Sequence, residues 1–209
     1  PGEFIEFAEH TWLIEPLTVL LLDRAVADWA RTDRLAWAPV AVNLSSKSLR
    51  DQNLPDLIAD LLRLYGAPTS ALTLELTDDA LALETPKAET TLARLHRMGV
   101  FLAIDDFNAE YSHASYLRRV PIDRLKIGRA FVARLQEREA AVRSVIDLAH
   151  SRGLVIVAEG VETADMRDHL RALGCDAAQG NFIAPPASLI ETRRWVARSN
   201  ATRLDSAGL

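Results

Sequence analysis

Apolar positions along this chain recur with two periods. From residue 11 to 31, Trp12, Leu13, Ile14, Leu17, Leu20, Leu21, Ala25, Val26 and Trp29 fall at helical spacing, and Pro16 is tolerable because it stands in the first turn. Six short apolar runs follow, at 38–44, 72–77, 100–105, 122–127, 154–158 and 175–179, and each reads as a strand. Segments with helical periodicity lie between and after them, near 54–65, 85–98, 113–119, 137–152, 163–173 and 188–198. Gly99, Gly153 and Gly174 each stand directly before a strand, where a left-handed residue closes the preceding helix. No linker interrupts the run, so residues 1–198 read as one domain and 199–209 as a fraying tail.

Strictly alternating strands and helices give a parallel sheet, either doubly wound or curled into a barrel. The polar residues favour the barrel. Asn43, Glu75, Asp105 with Asp106, Lys126, Glu159 and Gln179 stand at the C-terminal ends of the six runs. A doubly wound sheet gathers ligands at one switch crevice, whereas a barrel brings every strand end to one mouth. The expected fold is an α/β, TIM-like (β/α) barrel, two strands short of eight.

Composition then narrows the function classes. The 209 residues are 49% hydrophobic and 25% charged, which supports a substantial core and excludes a disordered chain. With 24 Lys and Arg against 29 Asp and Glu, the net charge of -5 offers no basic field for DNA or an anionic membrane surface. The longest strongly apolar stretch, Leu17–Leu22, is far below the roughly 20 residues of a spanning helix, and no leader pattern opens the chain. The single Cys175 permits neither an internal disulfide nor a thiolate metal cage, and the expected setting is the cytoplasm.

Four carboxylates at one mouth, Glu75, Asp105, Asp106 and Glu159, need a compensating cation, and Lys126 supplies a single charge. Oxygen donors suit hard ions, which favours magnesium or manganese over zinc. Adjacent strand residues face opposite sides, so Asp105 and Asp106 reach one site only if the strand ends there and Asp106 turns into the loop. The competing reading, solvated loop carboxylates or helix caps, suits any one of these residues but not all of them on one edge. His150 reads as a packing or hydrogen-bonding residue on a helix face, His113 as loop surface, Cys175 as a small core filler, and Arg118 with Arg119 as a solvated face. Trp12, Trp29, Trp37 and Trp195 are too scattered for a base-stacking platform.

Eight motifs stand in order: Phe4-Ile5-Glu6-Phe7-Ala8-Glu9, Val42-Asn43-Leu44-Ser45, Leu74-Glu75-Leu76-Thr77, Asp105-Asp106-Phe107, Leu117 to Asp123, Leu125-Lys126-Ile127, Val157 to Thr163, and Gly174-Cys175-Asp176 with Gln179-Gly180. In these the sequence resembles the EAL-domain family, bacterial phosphodiesterases that hydrolyse cyclic di-GMP, from Phe4 to Pro186. The resemblance implies a variant (β/α)8 barrel with Asn43, Glu75 and Asp105 as metal ligands, Asp105 bridging two ions and Asp106 holding the second. It also implies that Lys126 orients the attacking water or the scissile phosphate, that Glu159 ligates metal or activates water, and that Gln179 completes the site toward the substrate. Asp78 and Glu162 take the place of the loop anchors. Two such cations polarise a phosphodiester and lower the pKa of a water, so no nucleophilic Ser or His is required.

The departures shape the expectation. The family opens with two strands, the second carrying the Glu-Ala-Leu tripeptide, and these 209 residues begin after that point. Where the family reads Lys-Ile-Asp, this chain reads Lys126-Ile127-Gly128. The loop after the paired aspartates has lost both of its glycines, reading Asn108-Ala109-Glu110-Tyr111-Ser112-His113-Ala114, and Asp78 replaces a longer Glu. The reading is an EAL-type domain with impaired catalysis that acts as a protein-interaction or regulatory module. An active phosphodiesterase producing linear pGpG and a non-hydrolysing cyclic di-GMP receptor are the alternatives. Expected partners are cyclic di-GMP, other signalling domains and a second copy of the chain.

Overall fold

The computed structural model describes residues 2–32, 39–77, 85–107 and 119–206. Two helices come first, α1 (Gly2–His10) and α2 (Ile14–Ala30). Then follow β1 (Val40–Asn43), α3 (Leu54–Tyr65), β2 (Leu72–Thr77), α4 (Pro86–Arg97), β3 (Phe101–Phe107) and β4 (Arg124–Ile127). A short α5 (Arg129–Val132), α6 (Glu139–Ser151), β5 (Val155–Ala158), α7 (Ala164–Ala172), β6 (Ala177–Ala178) and α8 (Leu189–Ser206) complete the order. The six strands pair in the order β1-β2-β3-β4-β5-β6, every pair parallel. This order has no switch point, so successive right-handed crossovers keep their helices on one side and the sheet curls as a half barrel.

The period of two along each strand builds two unlike faces. One face carries Val42, Leu44, Leu72, Leu74, Leu76, Leu102, Ile104, Leu125, Ile127, Ile156 and Ala158, all buried in one core with helix residues such as Leu22, Ile58, Leu92, Val145 and Leu170. The register places the alternate residues together on the inner face: Asn43 beside Glu75, Thr77 beside Asp105, and Lys126 beside Val157. Lower on that face the Arg124 guanidinium lies 5.2 Å from the Phe101 ring centre. The inner face is therefore polar toward the C-terminal strand ends, and the outer face is the hydrophobic core.

The helix stops behave as expected, with φ of 91° at Gly99, 70° at Gly153 and 94° at Gly174. Thr85 and Thr163 start α4 and α7 by accepting hydrogen bonds from the N–H groups of Ala88 and Met166.

Four differences from the sequence reading have physical causes. Helix α1 was hidden because its nine residues are amphipathic over barely more than two turns. Helix α5 is shorter than any periodic signal. The final helix runs through Ser206, beyond the point where the chain was expected to fray. Strand β3 does not end at Asp105 but continues to Phe107 through a bulge, where two residues of β3 from 104 to 107 span what one spans in β4 from 125 to 127. Asp78, Trp37, Arg118, His113 and its loop, and nearly all of the helix expected at 113–119, lie outside the described residues.

Candidate active site

Parallel pairing brings Glu75, Asp105, Lys126 and Glu159 together near the C-terminal strand ends, although the register sets Glu75 beside Ala103 and Lys126 beside Val157. The Lys126 side chain rises between its neighbours, and its Nζ lies 2.8 Å from Glu75 Oε2, 3.0 Å from Asp105 Oδ1 and 2.5 Å from Glu159 Oε1. Lys126 is only 4% exposed, which makes the pairing obligatory rather than decorative. Burial by itself would disfavour the ammonium, but the hydrogen bonds to Glu159 and Glu75 and the charges of Glu75 and Asp105 outweigh it and hold the lysine well above its ordinary pKa. One ammonium does not neutralise three carboxylates. Glu159 shows the excess: burial, then the charges of Asp105 and Glu75, raise its pKa against the opposing pull of Lys126.

Asp106 is raised as well, first by partial desolvation and then by the Asp105 charge. Its N–H donates to Asp105 Oδ1 at 3.1 Å, and the bulge turns its backbone to φ 51°. The structure thus brings Asp106 beside Asp105 by bending the strand, not by ending it. Asn43 sits in register with Glu75 at the outer end of the sheet and is exposed. Gln179 follows β6, its backbone N–H donating to the Ala158 carbonyl and its carbonyl accepting from the Val161 N–H, with its side chain exposed.

Sequence reasoning missed Arg129. It opens α5, its Nη2 lies 2.5 Å from Glu162 Oε1, and its stem lies over Gly160. A Cβ at Gly160 would stand 2.3 Å from Arg129 Cγ, so the left-handed glycine (φ 69°) leaves the room this crossing needs. The adjacent Lys126 and Glu162 were the only available signals, because the contact joins residues 33 apart.

Other candidates fall on the structural side. His150 Nε2 lies 3.1 Å from Asp176 Oδ2 on a helix face. Burial pushes the Cys175 thiol up, and it donates to the Ala177 carbonyl, consistent with a filler rather than a nucleophile. Arg119 lies 3.8 Å from Glu89, Trp12 is exposed in the turn between α1 and α2, and Trp29 is buried on α2.

The donors at the mouth are all oxygen and negatively charged in excess, which suits a hard divalent ion by type. Their present geometry serves Lys126: among the described residues no three acidic, His or Cys side chains surround a common ion position.

A singly wound parallel sheet with an acidic, lysine-centred mouth at its C-terminal edge defines a barrel-type α/β domain. The EAL domain profile matches residues 1–186, and the chain belongs to the EAL domain family. It is 40% identical over 192 residues to an uncharacterized protein of Sinorhizobium fredii, covering 89% of this chain and 23% of that one. It is 33% identical over 202 residues to the cyclic di-GMP phosphodiesterase PA2567 of Pseudomonas aeruginosa, covering 95% of this chain and 34% of that protein. The chain thus spans less than two thirds of these relatives' length. Its fold matches the PaMucR phosphodiesterase in complex with c-di-GMP with a TM-score of 0.86 at 33% identity, over 92% of this chain and 80% of that one. The EAL domain of Mycobacterium smegmatis DcpA gives 0.81 at 34% identity, over 88% and 84%. Among the described residues no helix is long and apolar enough to cross a membrane.

Proposed function

We propose that this domain serves cyclic di-GMP signalling as a regulatory or protein-interaction module whose hydrolytic capacity is impaired. The observation that carries the reading is Gly128, which offers no carboxylate at the end of β4, while Glu75, Asp105 and Glu159 are already tied to Lys126. Asn43, Glu75, Asp105, Asp106 and Glu159 are the residues that would hold magnesium or manganese. Such an ion, when bound, supplies Lewis-acid polarisation of a phosphoryl oxygen.

The chain's own residues supply the rest. Lys126, buried and held protonated, presents a fixed positive charge toward a phosphate at the mouth. Glu159, with its raised pKa, is the carboxylate best placed to take up a proton there. Gln179, exposed beyond β6, offers an amide to the dinucleotide, and Glu162 with Arg129 braces the segment that follows β5.

The test is incubation of the purified chain with cyclic di-GMP in magnesium or manganese, with linear pGpG read by chromatography. No product above background is expected. Turnover comparable to that of the Pseudomonas aeruginosa phosphodiesterase overturns impairment and establishes the active-enzyme reading, which the intact Glu75, Asp105, Asp106, Lys126 and Glu159 set favours. Calorimetric titration with the dinucleotide separates a non-hydrolysing receptor, which releases heat, from a pure interaction module, which does not.

A further inference from the structure

Strand β4 is four residues long, and beyond Ile104 its register with β3 shifts at the bulge. The pairing on the far side of the bulge therefore does not by itself fix where Lys126 stands. The firm reference lies below, at Asp123. Its N–H donates to the Leu102 carbonyl at 2.9 Å, its Oδ2 accepts the Leu102 N–H at 2.8 Å, and its own carbonyl accepts the Val155 N–H at 3.0 Å. Both backbone groups of Leu102 thus end on one residue, and His96 lies 3.3 Å from the remaining carboxylate oxygen. Three residues further along the two strands, about 10 Å away at the usual strand rise, Lys126 Nζ and Asp105 Oδ1 meet at 3.0 Å. The construction occurs twice. His96, Leu102 and Asp105 with Asp123 and Lys126 repeat as His150, Ile156 and Glu159 with Asp176 and Gln179, at the same intervals of six, three and three residues. Asp176 Oδ2 accepts the Ile156 N–H at 2.8 Å, with His150 at 3.1 Å. Both aspartates stand three residues before a polar residue at the C-terminal edge, and both grip a residue that stands three before an acid.

We propose that Asp123 is a positioning residue for Lys126. Its two-point grip on Leu102 fixes β4 along β3, so that the buried Nζ arrives 3.0 Å from Asp105, 2.8 Å from Glu75 and 2.5 Å from Glu159 at once. Three contacts to three separate segments leave little tolerance. A shift of about 1 Å along the strand carries them toward the limit of hydrogen bonding, and a slip of one residue turns the lysine to the opposite face of the sheet. The inference rests on the reading of Lys126 as the cation that the mouth presents to a phosphate, and it deepens that reading: the cation is aimed from the opposite end of its own strand.

The experiment is a double-mutant cycle in thermal melts of the full chain in chelator. Lys126→Met lowers the midpoint of the parent, and in an Asp123→Ala background that drop shrinks to about half or less, because a misplaced lysine has less to lose. Changes at sites this far apart add when nothing couples them, so an equal drop in both backgrounds overturns the proposal. Asp123→Asn keeps an acceptor for Leu102 and restores the full drop. Ile58→Val, a core change on α3, also leaves it full; a drop that shrinks there as well reveals general loosening and overturns the proposal. If Asp123→Ala does not fold, Asp123→Glu, one methylene too long for the same grip, replaces it with the same two outcomes. Calorimetry with cyclic di-GMP reads the function. Where the parent binds, Asp123→Ala weakens binding about tenfold, the loss of one well-aimed charged hydrogen bond, and Asp123→Asn does not; parent-like affinity in Asp123→Ala overturns the proposal. If the parent itself releases no heat, the dinucleotide reading of the mouth fails, while the melts still decide whether Asp123 places Lys126.

Discussion

Glu159 and Lys126 carry opposite halves of one electrostatic imbalance. Glu159 has a folded pKa above its ordinary value of 4.5, so the stability it contributes is fully present below that value and is lost as the pH rises through the folded pKa. Glu159→Gln cannot ionise and escapes this loss. In chelator, its midpoint relative to the parent should climb as the pH rises from 4.5 through the raised folded pKa, and a difference that is flat with pH would show that Glu159 bears no excess charge. Lys126 is the reverse case. Lys126→Met removes the cation and leaves the buried carboxylates uncompensated, which should cost about 3–5 kcal/mol in denaturant unfolding. Magnesium or manganese should return part of that loss, whereas a variant as stable as the parent in chelator would mean that the carboxylates had already moved apart.

At the opposite edge of the sheet two strand openings use the same stitch. Asp123, just before β4, accepts the Leu102 N–H through Oδ2 at 2.8 Å, and His96 at the end of α4 lies 3.3 Å from its other oxygen. Asp176, just before β6, accepts the Ile156 N–H at 2.8 Å, with His150 of α6 at 3.1 Å. Each aspartate thus ties the second residue of the neighbouring strand to the helix that precedes that strand. Asp123→Ala leaves the part-buried Leu102 N–H without its acceptor and should cost about 1–3 kcal/mol. Asp123→Asn keeps an acceptor oxygen and should recover most of this in urea unfolding; equal losses in the two variants would show that charge, not hydrogen bonding, does the work. These residues belonged to the motifs that carried the family resemblance, yet they sit away from the mouth. Sequence position could not separate such stitches from site residues, because both occur at strand ends and only the direction of the strand tells one edge from the other.

The whole molecule couples the mouth to stability. A ligand that binds only the folded half barrel adds RT ln(1 + [L]/Kd), about 2.7 kcal/mol at a hundredfold excess over Kd. Under the receptor reading, cyclic di-GMP should therefore raise the thermal midpoint of the parent, and Asp105→Ala, which frees both Lys126 and the Asp106 N–H from their shared oxygen, should abolish most of that rise. An equal rise in the variant would place the dinucleotide elsewhere on the molecule. What the sequence by itself determined were the features set by local periodicity and chirality. Alternation of apolar residues marked six strands, three glycines marked helix ends, and the clustering of Asn43, Glu75, Asp105, Lys126, Glu159 and Gln179 at strand ends named one edge of a barrel. Period-two patterning is legible because it fixes which side chain faces which side before any strand finds its partner. Only the tertiary structure decided which of these groups touch. Lys126 binds three carboxylates from β2, β3 and the residue just after β5, Arg129 crosses Gly160 to reach Glu162, and a single extra residue in β3 turns Asp106 toward Gly128. Such contacts depend on register and on one bulge, which shift side chains by several ångströms without changing the hydrophobic pattern that encodes the strands.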